Sequence, residues 1–178
     1  HITTIALYDG ESVRTYVHGE NLESFADDIL AYKLLVTWNG RCFDAPILRR
    51  SLSIPLDEGE MAHLDLLPVY RAMGLSGGLK KVEKMLGLSR DDLDGVDGWA
   101  AVLLWQEYER LGARNVLDTL LAYNVADVLS LEYLAEHAAR SLAPASWGTG
   151  DATESPLRVK YEMNPFSPDP AVLRRLGF

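Results

Sequence analysis

Cysteine is almost missing: Cys42 is the single one in 178 residues. No internal disulfide and no cysteine-built zinc site is therefore available, and a reducing, cytoplasmic setting fits. No apolar run approaches the roughly 18 residues that cross a bilayer, so no membrane segment is expected. The amino end lacks a basic region followed by an apolar stretch, and no secretory leader is expected in it. It opens on His1 rather than Met, which reads as a tag remnant or an arbitrary cut. Positive charge is short as well. Seventeen Lys+Arg against 26 Asp+Glu leave a net charge of −9, which argues against wrapping nucleic acid by bulk electrostatics. An enzyme that holds divalent cations with carboxylates and meets a phosphate chain through a small basic patch stays open. Residues 40–90 are mildly basic and hold Arg41, Lys80, Lys81, Lys84 and Arg90, whereas 91–137 is the most acidic stretch. Internal repeats and low-complexity tracts are absent too.

What is present suits one globular domain with a short appendage: 48% of residues are apolar and 24% charged. Ile2–Tyr8 and Ser12–His18 read as a hairpin turning at Asp9-Gly10. Asn21 is placed to cap a helix running to about Lys33, with Leu22, Phe25, Ala26, Ile29 and Leu30 on one face. The run Leu34–Trp38 has the look of a buried parallel strand. Asn39-Gly40 turns the chain into a helix from Phe43 to about Leu52. A second short strand at Ala62–Asp65 leads into a helix from Leu66 to Met73. Leu79, Val82, Met85 and Leu86 predict an amphipathic helix closed by Gly87. An acidic loop, Ser89–Gly98, separates it from helices at Trp99–Leu111 and Arg114–Ser141. Five of the eight prolines fall in 142–178, with a Ser/Gly/Thr linker at 145–155, so 1–141 reads as the domain and 142–178 as a linker and extension. Hairpin, strand–helix alternation and a helical second half predict an α/β fold with a mixed sheet. Such a sheet normally has a central strand, and none is found.

Two segments carry chemistry. In the long helix, Asp127 stands one heptad after Leu120 and one before Leu134, inside the apolar arc of Val116, Leu117, Leu121, Val128 and Leu131. Tyr123 lies one turn earlier, and Asn124 is on the same arc. A carboxylate facing a core is costly unless a cation, a metal or a hydrogen-bond donor such as Ser130 meets it. The second segment, Thr37 to Pro46, sets Asn39, Phe43 and Asp44 at the carboxyl end of the first parallel strand, where open α/β sheets place ligands. Asp44 is equally placed to cap the helix that follows it.

Together these segments resemble the DEDD superfamily of 3′–5′ exonucleases, which have the ribonuclease H-like fold, and most of all the YprB-type predicted exonucleases. Asn39-x-x-x-Phe43-Asp44 matches the second motif of that family, and Tyr123-x-x-x-Asp127 matches the third in its tyrosine (DEDDy) variant. His63-Leu64-Asp65-Leu66-Leu67 and Gly78-Leu79-Lys80-Lys81-Val82 fall where the family has a strand-to-helix Asp and a Gly/Ser-Leu-x-x-Leu helix. The likeness covers roughly residues 1–140. It implies a mixed sheet flanked by helices and hydrolysis of phosphodiester bonds at DNA or RNA 3′ ends, with two Mg²⁺ or Mn²⁺ ions held by carboxylates. It gives Asp44 and Asp127 metal-ligand roles and Tyr123 the orientation of the attacking water. Asn39 and Phe43 would meet the terminal nucleotide. A helicase is implied as partner. Lys80 and Lys84, one turn apart, are placed to meet phosphates, and Asp65 is expected to cap its helix rather than bind metal.

The departure is the family's first motif, Asp-x-Glu on the first strand, which the sequence lacks. Asp9-Gly10-Glu11 has the spacing but sits in the hairpin turn. The missing strand and the missing acids are one observation, and residues upstream of His1 are expected to supply both. Two alternatives stand beside the exonuclease: a non-catalytic nucleic-acid-binding or scaffold module with a degenerate site, and a two-metal hydrolase of free nucleotides.

Overall fold

The computed structural model describes residues 1–54, 61–93, 95–143 and 157–178. The hairpin forms as β1 (Thr4–Tyr8) and β2 (Val13–Val17), antiparallel with Thr4 opposite Val17 and Tyr8 opposite Val13. Asp9 fixes the turn, accepting from the backbone N–H groups of Glu11 (3.0 Å) and Ser12 (2.7 Å). The helix expected from Asn21 to Lys33 is shorter. It comprises α1 (Ser24–Asp28), continued by a single 3₁₀ turn over Ile29–Ala31. Asn21 does not cap it. Its side chain is committed to the hairpin instead, accepting from Val17 N–H and donating to the Thr15 carbonyl, and Leu30 ends up 56% exposed.

β3 (Leu34–Thr37) and β4 (Ala62–Asp65) pair in parallel, Leu34 opposite Ala62 and Thr37 opposite Asp65. Between them lies α2 (Asp44–Leu52), and after β4 come α3 (Leu66–Ala72) and α4 (Leu79–Met85). Met85, expected on the buried face of α4, is 51% exposed. Its place is taken by Glu83, which with Leu79, Val82 and Leu86 completes an i, i+3, i+4, i+7 stripe. Within the acidic loop a 3₁₀ turn spans Asp91–Leu93, Asp97 caps α5 (Gly98–Leu111), and Asp94 lies outside the described residues. The 29-residue α6 (Arg114–Leu142) crosses the molecule. The linker expected at 145–155 lies outside the described residues, while α7 (Pro170–Leu176) returns to pack on α5 and α6.

The layers follow from strand alternation. Ile5 and Leu7 of β1 and Leu35 of β3 face a core built by Phe25, Ile29, Ala45 and Leu48 of α1, its 3₁₀ turn and α2. Val36 and Trp38 turn the other way, toward Leu66, Tyr70 and Leu134. The result is a mixed α/β sandwich with helices on both sides, as expected, and among the described residues its middle layer consists of two separate two-stranded sheets. No helix among the described residues is long and apolar enough to cross a membrane.

Candidate functional site

A cavity of about 840 Å³ opens between the two sheets, lined by both β1 and β3, by Phe43 and Asp44 of the β3–α2 connection and by Asn124, Asp127, Val128 and Leu131 of α6. Two elements bring the acids there. β3 ends at Thr37, Trp38 follows it, and Asn39 then takes a left-handed conformation, φ 62°. Gly40 follows because a Cβ at that position would lie 2.3 Å from the Thr37 hydroxyl oxygen. Asp65 locks this turn from β4. Its carboxylate accepts from Asn39 N–H (2.8 Å) and Arg41 N–H (3.1 Å) and also caps α3 through Leu67 N–H (3.1 Å). The expected cap is thus present, with a second task that the sequence does not reveal.

Asp44 does not cap α2. Phe43 holds the cap position and makes no side-chain bond there, and Asp44 is the first helical residue. Its carboxyl is pushed above the ordinary range by desolvation and by the neighbouring charge of Asp65. Phe43 is 63% exposed at the cavity rim. The backbone of Asn39 is spent on Asp65, and its side chain is half-buried.

Asp127 has its expected place on the inward side of α6, and its partners are two cations. Lys80 Nζ and Arg90 both pair with its Oδ1. Arg90, with a side chain 6% exposed, also pairs with the buried Glu83 and reaches the Ser130 hydroxyl at 3.3 Å. Ser130 therefore is not the donor to the Asp127 carboxylate; it donates to the Asp127 carbonyl at 2.9 Å. Burial raises the Asp127 carboxyl to about 6, against the pull of Arg90 and of a hydrogen bond from Tyr123. Burial also lifts Glu83, to about 7, helped by the charge of Asp127 and opposed by a hydrogen bond with Ser130.

Tyr123 is buried among Leu93, Val96, Ala100, Ala126 and Leu173 rather than on the cavity wall. Its phenol is pushed far up, first by burial and then by Asp127, so it keeps its proton. Lys80 Nζ lies over its ring, 4.5 Å from the centroid, a cation–π contact. Lys80 is thereby part of the Asp127 cluster instead of standing beside Lys84, which is exposed on the outer side of α4. Arg90 and Glu83 are the residues that sequence reasoning missed. The signal was present for Glu83, an acid inside an apolar stripe, the same signal that singled out Asp127.

Two carboxylates, Asp44 and Asp127, share one cavity, and one of them is already neutralised. Among the described residues no group of three or more His, Cys, Asp or Glu could hold a metal ion. The residues described therefore do not by themselves fit a two-ion centre, which needs further carboxylates. No curated protein and no solved structure matches the chain. A family model does: the RNase_H superfamily model (RNase_H_2) matches residues 1–139, the hairpin, both parallel strands and α6 almost to its end. On that match, and on a mixed sheet flanked by helices that agrees with it, the chain belongs to the RNase_H superfamily.

Proposed function

We propose that this chain is the core of a 3′–5′ exonuclease of the DEDDy type, similar to the YprB-like predicted exonucleases. It would hydrolyse phosphodiester bonds at DNA or RNA 3′ ends with Mg²⁺ or Mn²⁺. Superfamily membership supports nuclease chemistry in general. The observation that carries the finer reading is the Asp127 cluster: a half-buried acid on α6, hydrogen-bonded by a tyrosine one turn earlier, on a cavity shared with Asp44. The chain's own residues have clear parts. Tyr123, kept protonated, donates toward Asp127 and fixes its orientation. Phe43 offers an exposed ring for a terminal base to stack on, a contact of roughly 1–3 kcal/mol. Lys84 and Arg41 are exposed cations for the phosphate chain. The metal centre is incomplete in the residues described, and its further carboxylates belong to an Asp-x-Glu strand.

The test is direct. The full-length natural protein containing residues 1–178 should shorten 5′-labelled oligonucleotides from the 3′ end with Mg²⁺ or Mn²⁺. The activity should disappear in chelator and in Asp127→Ala, and fall by about 10–1,000-fold in Tyr123→Phe, the loss of one positioned hydrogen bond. No shortening of single- or double-stranded DNA or RNA with either ion would overturn the proposal. The neutralisation of Asp127 by Lys80 and Arg90 favours a second reading, a non-catalytic nucleic-acid-binding module. Salt-dependent binding without cleavage would identify it.

A further inference from the structure

The family match ends at residue 139, yet the C-terminal segment reaches back to the Asp127 cluster. Lys160 pairs with Glu132 of α6 at 3.0 Å and donates to the Tyr8 hydroxyl of β1 at 3.4 Å. Asn164 donates to the Ala122 carbonyl at 2.9 Å. Between these anchors a 3₁₀ turn, Tyr161–Met163, lays Tyr161 against a core shared by Leu93 and Val96 of the acidic loop and by Tyr123 and Ala126 of α6. The same loop carries Arg90, whose carbonyl accepts from Leu93 N–H at 3.0 Å. Arg90 is thus brought to Asp127 by a loop on which the C-terminal segment packs.

The guanidinium of Arg90 has three sides. One terminal nitrogen pairs with Asp127, and the other pairs with Glu83 and reaches Ser130. The third side is Nε, which is buried and has no hydrogen-bond partner among the described residues. The Tyr161 hydroxyl is buried and unpartnered in the same way. It faces the ion cluster: burial pushes the phenol up, neighbouring Arg90 pulls it down, and the charges of Glu83 and Asp127 push it up again. Buried polar atoms require partners. Nε offers one proton, and a phenol oxygen accepts one.

We propose that Tyr161 is a positioning residue for Asp127 that acts through Arg90. Its hydroxyl oxygen takes the Nε proton, closes the third side of the guanidinium and so holds the terminal nitrogen on the Asp127 carboxylate. With two sides held, the rigid fork can pivot about its Glu83 contact and leave Asp127 to Lys80, whose side chain is a third exposed. The third contact removes that freedom. The acid on α6 is then oriented by a side chain from outside the family-matched residues. That Asp127 serves a reaction rests on the exonuclease reading; the chain of contacts from Tyr161 through Arg90 does not.

Nitrogen-edited NMR of residues 1–178 reads the Arg90 Nε proton directly, assigned by through-bond correlation to the Arg90 backbone. We expect it to exchange with water at least about tenfold more slowly than the Nε protons of surface arginines such as Arg71. Tyr161→Phe keeps the ring and loses the hydroxyl. It should remove most of that protection and shift the Asp127 carboxyl carbon, with a urea midpoint close to that of the unaltered chain. Lys160→Met, which breaks the neighbouring anchor, should leave both signals in place. Fast exchange in the unaltered chain, unchanged exchange in Tyr161→Phe, or an equal effect of Lys160→Met would each overturn the proposal. In the full-length natural protein, Tyr161→Phe should lower kcat about tenfold with KM unchanged; a kcat that holds or rises overturns the positioning role. If that protein is inert while the exchange results stand, only the exonuclease reading falls.

Discussion

Arg90 shows how much one side chain can hold together. It is nearly buried, pairs with Asp127 and Glu83 at once, and leaves its Nε without a hydrogen-bond partner among the described residues. Removing one partner from a buried ion pair strands the others in a low dielectric, at a cost of roughly 3–5 kcal/mol. Arg90→Met should therefore lower the unfolding free energy by about that amount in urea denaturation. Adding Glu83→Gln to it should recover part of the loss, because one stranded charge is gone. Lys80 is a third exposed, so Lys80→Met should cost about 1 kcal/mol or less. If the two single variants lose equal stability, Arg90 is not the centre of the cluster.

Among the elements, the β1–β2 hairpin depends on the Asp9 carboxylate. Backbone N–H groups of Ser12 and Glu11 hold that carboxylate well below its usual range, at about 2. A folded-state pKa below the unfolded value means stability that is complete above about 4 and lost as pH falls through about 2. Amide exchange in β1 and β2 should therefore speed up across that window, and Asp9→Asn should remove the pH dependence. On the other sheet, Asp65→Ala takes away a helix cap together with two bonds to the β3–α2 turn. It should cost about 2 kcal/mol or more in thermal unfolding, beyond the roughly 1 kcal/mol of a cap alone. This scale also shows what the sequence makes legible. α6 and the inward position of Asp127 follow from periodicity, and β3 and β4 from short apolar runs. The partners of Asp127 do not follow, because Lys80 and Arg90 reach it from distant segments. Asn21 and Asp44 are credible caps by residue type, yet hydrogen bonds back to the hairpin claim the first and the chain path bypasses the second.

At the scale of the whole molecule, the layered α/β order was readable from the alternation of elements, and the gap in the sheet from the absence of a central strand. The role of the last residues was not, since a proline-rich stretch announces no packing partner. In the structure Val172 is 1% and Leu173 7% exposed, set against Leu104, Trp105, Leu117 and Leu121 and against Tyr123 and Ala126. Asn164 donates to the Ala122 carbonyl at 2.9 Å, and Asp169 N–H donates to the Thr119 hydroxyl at 2.9 Å. Residues 157–178 thus pack against α5 and α6, reach the hairpin at Val17 and Tyr8, and support Tyr123 from behind. Each buried aliphatic side chain contributes roughly 1.5–3 kcal/mol, so ending the chain after Leu142 should remove about 3–6 kcal/mol. That is a large share of the 5–15 kcal/mol typical of a domain. Leu173→Ala alone should remove roughly 2–5 kcal/mol. Urea denaturation of residues 1–142 beside residues 1–178 checks this: a clear drop in midpoint makes the C-terminal segment part of the fold, whereas an unchanged midpoint would mean that α6 is sealed without it.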